Sequence, residues 1–404
     1  MPSHISHYLF ASDLVQRTLP AADAAAVSAD FDSFLCLGAQ GPDLFLHNRR
    51  RRPSGITYGM VLHRKSAGRF CASLVETNRH KPLISPEGAY TIGWLSHVVL
   101  DRILHPYINY RAGWVIPKHP ETYHYRVNHV FLERTIDVLL LREKRNMQPE
   151  EFDFASKVEV DPGEARGVFG SVREALVSST RRGENDSDLS RRIRNAYLDA
   201  VDYYHAINTV DRRRARMELE FSDEELPFWL GIYHPICLPR DIDFGNRNRS
   251  PWRHPCSGEF YSTESVDDMY ARGLGIAEQL VRRVREAWEG SRRCFDEPPL
   301  GRGSRTEAEN SSETDTSTEA ENISISGTGE TASQGNGATM AAGQDSDDPE
   351  VPLERLIGNG DLSDERLEGE PCRRTTFSVL DFPRALREIR SEIMSNPYPE
   401  YRPG

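Results

Sequence analysis

Two segments of this 404-residue chain carry metal-ligand side-chain types at helical spacing. In the run from Gly93 to Pro106, His97, Asp101 and His105 fall at i, i+4 and i+8. Four residues advance an α-helix by about 400°, so each step drifts only about 40° around the axis. The three side chains therefore share one stripe, among the apolar residues Leu95, Val98, Val99 and Leu100. The run from Asn128 to Asp137 repeats the arrangement with His129, Glu133 and Asp137, beside Val130, Phe131, Leu132 and Ile136. An unpaired buried charge costs several kcal/mol, so such groups pair with one another or bind metal. One stripe alone reads as a hydrogen-bonded pair in an ordinary helix. Two stripes so close together point to a multinuclear metal site.

Three residues upstream extend the set. His7 opens the first apolar stretch, Asp43 ends the Gly/Pro-punctuated turn Gly38-Ala-Gln-Gly-Pro-Asp43, and His63 opens the next helical stretch. Imidazole and carboxylate donors of this kind suit zinc. A di-iron carboxylate bundle would call for Glu-x-x-His pairs and more glutamates, and an HD-type phosphohydrolase needs an adjacent His-Asp pair, which the chain lacks.

These residues resemble the zinc-dependent phospholipase C family, whose all-helical fold is shared with fungal single-strand-specific nucleases. The likeness lies in the early His7, the GAQGPD loop ending at Asp43, His63, the HxxLDxxxHP helix over His97–Pro106 and the H-x3-E-x3-D helix over His129–Asp137. It covers roughly residues 4–140, and less specifically Trp252-x-x-Pro255 and the helix after Ser265. The resemblance implies two or three zinc ions. Asp43, His63, His97 and Asp101 would hold one, and His105, His129 and Glu133 a second. His7 would hold a third, with Asp101 bridging. Secreted members add a freed N-terminal amine to the third ion. In this chain the amine of Pro2 after loss of Met1, or His4, would take that place, or the site would hold two ions.

The resemblance also implies hydrolysis of a phosphoester, such as the phosphodiester of a phospholipid headgroup, by a water activated between metal ions. Asp43 is then the catalytic candidate, as ligand or general base, and no serine or cysteine nucleophile is needed. Asp137 would orient a ligand imidazole or contact Arg134. Arg49-Arg50-Arg51-Arg52 reads either as a solvated basic loop or as a surface for a phosphate headgroup or an anionic membrane. Tyr107, Tyr110, Trp114, Tyr123 and Tyr125 are core or pocket aromatics, with His119 and His124 beside them. The alternative function is a non-catalytic, metal-stabilised helical scaffold or interaction protein.

The elements that must position these residues read as helices, which gives an all-α fold. Amphipathic patterns cover 8–18, 62–77, 88–104, 122–144, 187–217 and 265–289, the last behind a Ser265-x-x-Asp268 capping signal. Pro106 predicts that the third of these ends or bends near His105. The expected organisation is a phospholipase C-like helical domain over 1–300, a disordered linker over 301–352, and a tail over 353–404. That tail carries an amphipathic helix (Phe377, Leu380, Phe382, Leu386, Ile389, Ile393, stopped by Pro397) and would dock back or bind a protein partner. Twelve acidic residues and no Lys or Arg lie between Arg305 and Arg355, which accounts for the whole net charge of −12. The remainder is about neutral and gives no strong nucleic-acid footprint. No run approaches the roughly 18 apolar residues of a membrane span, and the start lacks a secretory pattern. Six scattered cysteines fit reduced thiols. A cytoplasmic location follows as the expectation.

Overall fold

The computed structural model describes residues 4–116, 118–161, 163–217, 234–235, 237–256, 261–296, 351–362 and 377–395. The linker expected over 301–352, apart from its last two residues, lies outside them, as do Pro2 and Pro397. The described residues form fifteen α-helices and one two-stranded antiparallel sheet. The N-terminal helices are α1 (His4–Thr18), α2 (Ala21–Asp30), α3 (Asp32–Ala39), α4 (Asp43–Leu46), α5 (Ile56–Lys65), α6 (Ala67–Thr77), α7 (Pro86–Ala112) and α8 (Tyr125–Arg145). There follow α9 (Phe154–Val158), α10 (Ala165–Ser179), α11 (Arg181–Glu184), α12 (Leu189–Met217), α13 (Val266–Asp296), α14 (Leu353–Ile357) and α15 (Phe382–Ser395). The sheet pairs β1 (Trp252–Arg253) with β2 (Tyr261–Ser262). The all-α reading is borne out.

Helix α7 is the axis of the molecule. The Ser85 side chain accepts from the Gly88 amide, Pro86 occupies the first turn, and Gly113 at φ 73 closes the other end with its N–H on Asn109. Nearly every residue of α7 is buried, against α1, α3, α8 and α13. The helix runs through Pro106 to Ala112 instead of ending near His105. A mid-helix proline costs about 3 kcal/mol, and burial of Tyr107 and Ile108 beyond it offsets that cost. Helix α3 crosses α7 so closely that a Cβ on Gly38 would lie 2.2 Å from the Tyr90 carbonyl oxygen, and one on Gly93 2.4 Å from that of Leu35. The glycines permit this approach, which sets the register of the Gly38–Asp43 turn against His97.

The stretch read as one helix over 62–77 is two, α5 and α6, broken at Ser66 (φ −143). His63 therefore sits at the end of a helix and not at the start of one. Ser265 and Asp268 form the expected reciprocal cap of α13: the Asp268 amide donates to Ser265 Oγ, and the Ser265 amide to Asp268 Oδ2. The tail docks back. Phe377 packs on Trp114 and Tyr125, the amides of Ser378 and Leu380 donate to the carbonyls of Tyr110 and Arg111, and Phe382 packs on Phe131. Residues 358–362 lie against α7 and the end of α5: the buried Arg102 donates to the carbonyls of Gly358 and Gly360, and the Leu362 amide to that of His63. Cys36, Cys71 and Cys237 are free. Cys256 is disulfide-bonded, which corrects the reduced-thiol reading for that residue. Spacing in sequence does not say which thiols meet in space.

The loop between α4 and α5 is held by one carboxylate. Asp199 accepts from Asn48 Nδ2, the amides of Arg50 and Arg51, and the Arg51 guanidinium, at 2.6–3.0 Å. Burial pushes its pKa up, but these donors hold it down at about 2. A carboxyl depressed in the folded state stabilises above its unfolded pKa, near 4, and that contribution is lost as pH falls toward 2. Asp199→Asn is expected to cost about 2 kcal/mol at neutral pH, with the gap to wild type closing between pH 4 and 2. Denaturant titrations across that range check it, and a pH-independent gap would contradict it.

Candidate metal centre

Asp101 lies at the centre of the cluster, with its side chain only 1% exposed. His7 Nε2 of α1 is 3.2 Å from its Oδ1, His97 Nε2 3.3 Å from its Oδ2, His105 Nδ1 3.6 Å from Oδ1, and His63 Nε2 of α5 3.9 Å from Oδ2. Four imidazoles from three helices thus face one carboxylate. Asp43, the first residue of α4, meets His63 at 3.0 Å. Across the α7–α8 interface, Glu133 Oε1 lies 2.8 Å from His129 Nε2 and 3.4 Å from His105 Nε2. All eight candidates come together. Their donor atoms fall into the groups Asp43–His63–His97, His7–His97–Asp101 and His105–His129–Glu133, each compact enough to hold an ion. His63 and His129 are the open edges, with side chains 17% and 22% exposed, against 0–7% for the other six.

The ring orientations are set from behind. His63 Nδ1 is 2.7 Å from the Gly59 carbonyl, and His97 Nδ1 is 3.0 Å from that of Ala39. A backbone carbonyl accepts an N–H, so each ring turns an Nε2 toward the carboxylates, as in protein-held metals. Gly41, at φ +50, places the loop against the His97 ring: a Cβ there would lie 2.5 Å from its Cγ and Cδ2.

The chemistry of the donor set fits a cation. Asp43 Oδ1, His63 Nε2, His97 Nε2, His105 Nδ1 and both oxygens of Asp101 are buried, yet none has a partner at hydrogen-bonding geometry. Close approach without hydrogen-bond geometry is what converging lone pairs produce. Three buried carboxylates are also expensive without positive charge. Burial pushes the Asp101 carboxyl up, but His105, His97 and His7 more than offset it and hold it well below the usual range. Burial likewise opposes the lowering of Asp43 by His63 and His97, and that of Glu133 by His129 and His105. All three are thus ionised. Burial lowers His7, aided by His97, and lowers His129 in spite of Glu133, so both imidazoles favour the neutral, ligating form. His97 is raised, and His105 reaches about 9, because neighbouring carboxylates outweigh their burial.

A second histidine–carboxylate cluster lies about one helical turn along α1 and α8 from the first, at the start of α1. His4, Asp137 and His234 also sit within ion-holding distance, but their atoms are engaged otherwise. Asp137 accepts from the amides of Ile5 and Ser6, from Ser6 Oγ and from His234 Nε2. His4 Nδ1 faces the Arg134 guanidinium, and burial, then Arg134, hold His4 far below its ordinary pKa. The His4 ring packs on Phe154, Tyr204 and the His234 ring. Asp137 thus caps α1, the helix that carries His7, and orients His234 rather than one of the eight. Sequence reasoning missed His234, which stands apart from any periodic stripe. Asp137→Ala leaves buried amides without an acceptor and is expected to destabilise by about 3 kcal/mol. Urea unfolding checks this, and a change below about 1 kcal/mol would show that the cap is dispensable.

Of the aromatic candidates, Tyr107 is core and donates to the Phe244 carbonyl, while Trp114 and Tyr125 pack under the tail. Tyr123 is exposed, and the exposed His119 pairs with Glu121. The Trp252 indole is buried and donates to the Glu264 carbonyl.

Residues 6–169 match the family model for zinc dependent phospholipase C, a span that contains all eight clustered residues. The resemblance drawn from the motifs holds over that span. No curated protein and no solved structure matches the chain. No helix among the described residues is long and apolar enough to cross a membrane.

Proposed function

We propose that the chain is a zinc-dependent phosphodiester hydrolase acting on a phospholipid headgroup. Its ions, two or three, would be held by His7, Asp43, His63, His97, Asp101, His105, His129 and Glu133. The observation that carries this reading is Asp101: four imidazoles face it, and neither of its oxygens has a partner at hydrogen-bonding geometry. Zinc, when bound, supplies Lewis acidity toward a phosphoryl oxygen and lowers the pKa of water toward neutrality.

The chain's own residues do the rest. The ionised Asp43 accepts the proton of the attacking water and stays poised beside His63. The Ala39 and Gly59 carbonyls fix the two imidazoles nearest to it. The apolar walls Leu104, Ile108 and Ile136 of the pocket beside His105 and Glu133 exclude bulk water. The exposed edges at His63 and His129 favour an enzyme over a scaffold, because a purely structural site is closed. The proposed compartment is the cytoplasm, which the free Cys36, Cys71 and Cys237 favour and the disulfide at Cys256 opposes.

The test pairs elemental analysis with turnover of phosphatidylcholine, bis-p-nitrophenyl phosphate and single-stranded DNA. Two or three zincs with chelator-sensitive release from phosphatidylcholine supports the proposal. Zinc without turnover of any phosphodiester supports the scaffold, and turnover of DNA alone would move the substrate to nucleic acid.

A further inference from the structure

Between Leu44 and Val75 the chain has seven Lys or Arg residues and no Asp or Glu. Two of the seven are ion-paired: Arg51 with Asp199 and Asp202, and Arg69 with Glu354. The other five, Arg49, Arg50, Arg52, Arg64 and Lys65, are exposed, and none forms an ion pair among the described residues. They flank one helix. Arg49, Arg50 and Arg52 stand on the loop before α5, and Arg64 and Lys65 at the other end of that helix, about 15 Å away at 1.5 Å per residue. Between them, Met60 is one of only three large apolar side chains exposed among the described residues, at 43%. Ile56, Met60 and Arg64 fall at i, i+4 and i+8, so they share a stripe. His63, an open edge of the metal centre, lies between Met60 and Arg64 in sequence and three residues from Met60 on the same helix.

The loop is built, not slack. Asp199 binds the amides of Arg50 and Arg51, Asn195 donates to the Pro53 carbonyl and Arg192 to that of Ser54, while Arg51 turns inward to Asp199 and Asp202. Asp199 and Asp202 are thereby engaged with the loop itself, and Arg49 and Arg50 are left exposed, while the exposed Arg52 also donates to the carbonyls of Arg49 and Arg51. A cationic face with an apolar side chain at its middle matches an anionic lipid surface, where basic groups meet the headgroups and an apolar group enters the acyl boundary.

We propose that the loop 49–52 and the outward stripe of α5 form the face by which the protein adsorbs to anionic phospholipid bilayers, bringing the His63 edge of the site to the headgroups. The proposal rests on the functional reading above only for its purpose. Adsorption itself is measured without catalysis.

The experiment is co-sedimentation of the full chain with vesicles of phosphatidylcholine alone or of phosphatidylcholine with phosphatidylserine, at low and high salt. A parallel assay follows turnover of soluble bis-p-nitrophenyl phosphate. Wild type is expected to partition onto the anionic vesicles and to release as salt rises. The triple variant R49S/R50S/R52S, which leaves Arg51 in place, is expected to lose on the order of tenfold to a hundredfold in partitioning, at roughly one surface charge per site. Met60→Ser is expected to lose a few fold, R64S/K65S about tenfold, and all three are expected to keep wild-type turnover of the soluble ester. Equal partitioning onto both vesicles, or an unchanged triple variant, would overturn the proposal. So would a loss by these variants of single-stranded DNA binding alone. Adsorption that persists in a protein with no phosphodiesterase activity would sink the functional reading and leave the surface standing.

Discussion

Asp101→Asn is expected to lower phosphodiester turnover by about three orders of magnitude or more, since contacts of an ion with developing charge are worth several kcal/mol. The substitution is isosteric, so the fold should survive and circular dichroism should be unchanged. What changes is the chemistry at the centre of the cluster. A carboxylate offers only acceptors, whereas one side of an amide offers donors. The amide group would face His97 or His7, 3.2–3.3 Å away, with N–H where a lone pair stood. Because Asp101 faces members of all three donor groups, zinc content should fall by more than one ion. Wild-type zinc content with wild-type turnover would remove Asp101 from the site. A selective counterpart is Glu133, which touches only His105 and His129 of the set.

Gly41→Ala is the second large effect. The added Cβ would sit 2.5 Å from the His97 ring, at a backbone φ of +50. The left-handed conformation costs an alanine roughly 1–2 kcal/mol, and the ring must then move in a close-packed interior. A destabilisation of about 2–4 kcal/mol is expected, together with weakened zinc retention, because His97 belongs to two of the three donor groups. Gly275→Ala is the control. Its Cβ would meet nothing within 4 Å in the middle of α13, so it should stabilise by about 0.5–1 kcal/mol. Denaturant unfolding and zinc analysis of both variants check the pair. A Gly41→Ala protein as stable and as zinc-replete as wild type would show that the turn is not constrained by His97.

The two stripes were legible because a helix converts a four-residue spacing into a shared face, and the hydrophobic company of His97 and His129 showed that the faces were buried. The convergence of both stripes with His7, Asp43 and His63 was not legible from spacing. It depends on α1, α4 and α5 meeting α7, and the family resemblance supplied it. Of the two outcomes Pro106 predicts, an end or a bend, the helix does not end there, because burial on either side of the proline outweighs the local rule. His63 was misplaced because the break at Ser66 carries neither Gly nor Pro. Asp137 shares the stripe of His129 and Glu133 yet serves the end of α1, since one helix face can touch two neighbours. Helices α2, α3 and α9–α11 escaped notice. Most are only four to ten residues long, and α2 is largely alanine, so these present no long amphipathic stripe; α10, with Ala165, Val168, Val172, Ala175 and Leu176 on one buried face, did present one.

The most direct measurement is an anomalous difference map at the zinc edge from crystals of the zinc-loaded protein. Peaks are expected among Asp43, His63, His97 and Asp101, and among His105, His129 and Glu133. Absence of density at both positions, or density instead among His4, Asp137 and His234, would contradict the assignment of the metal centre.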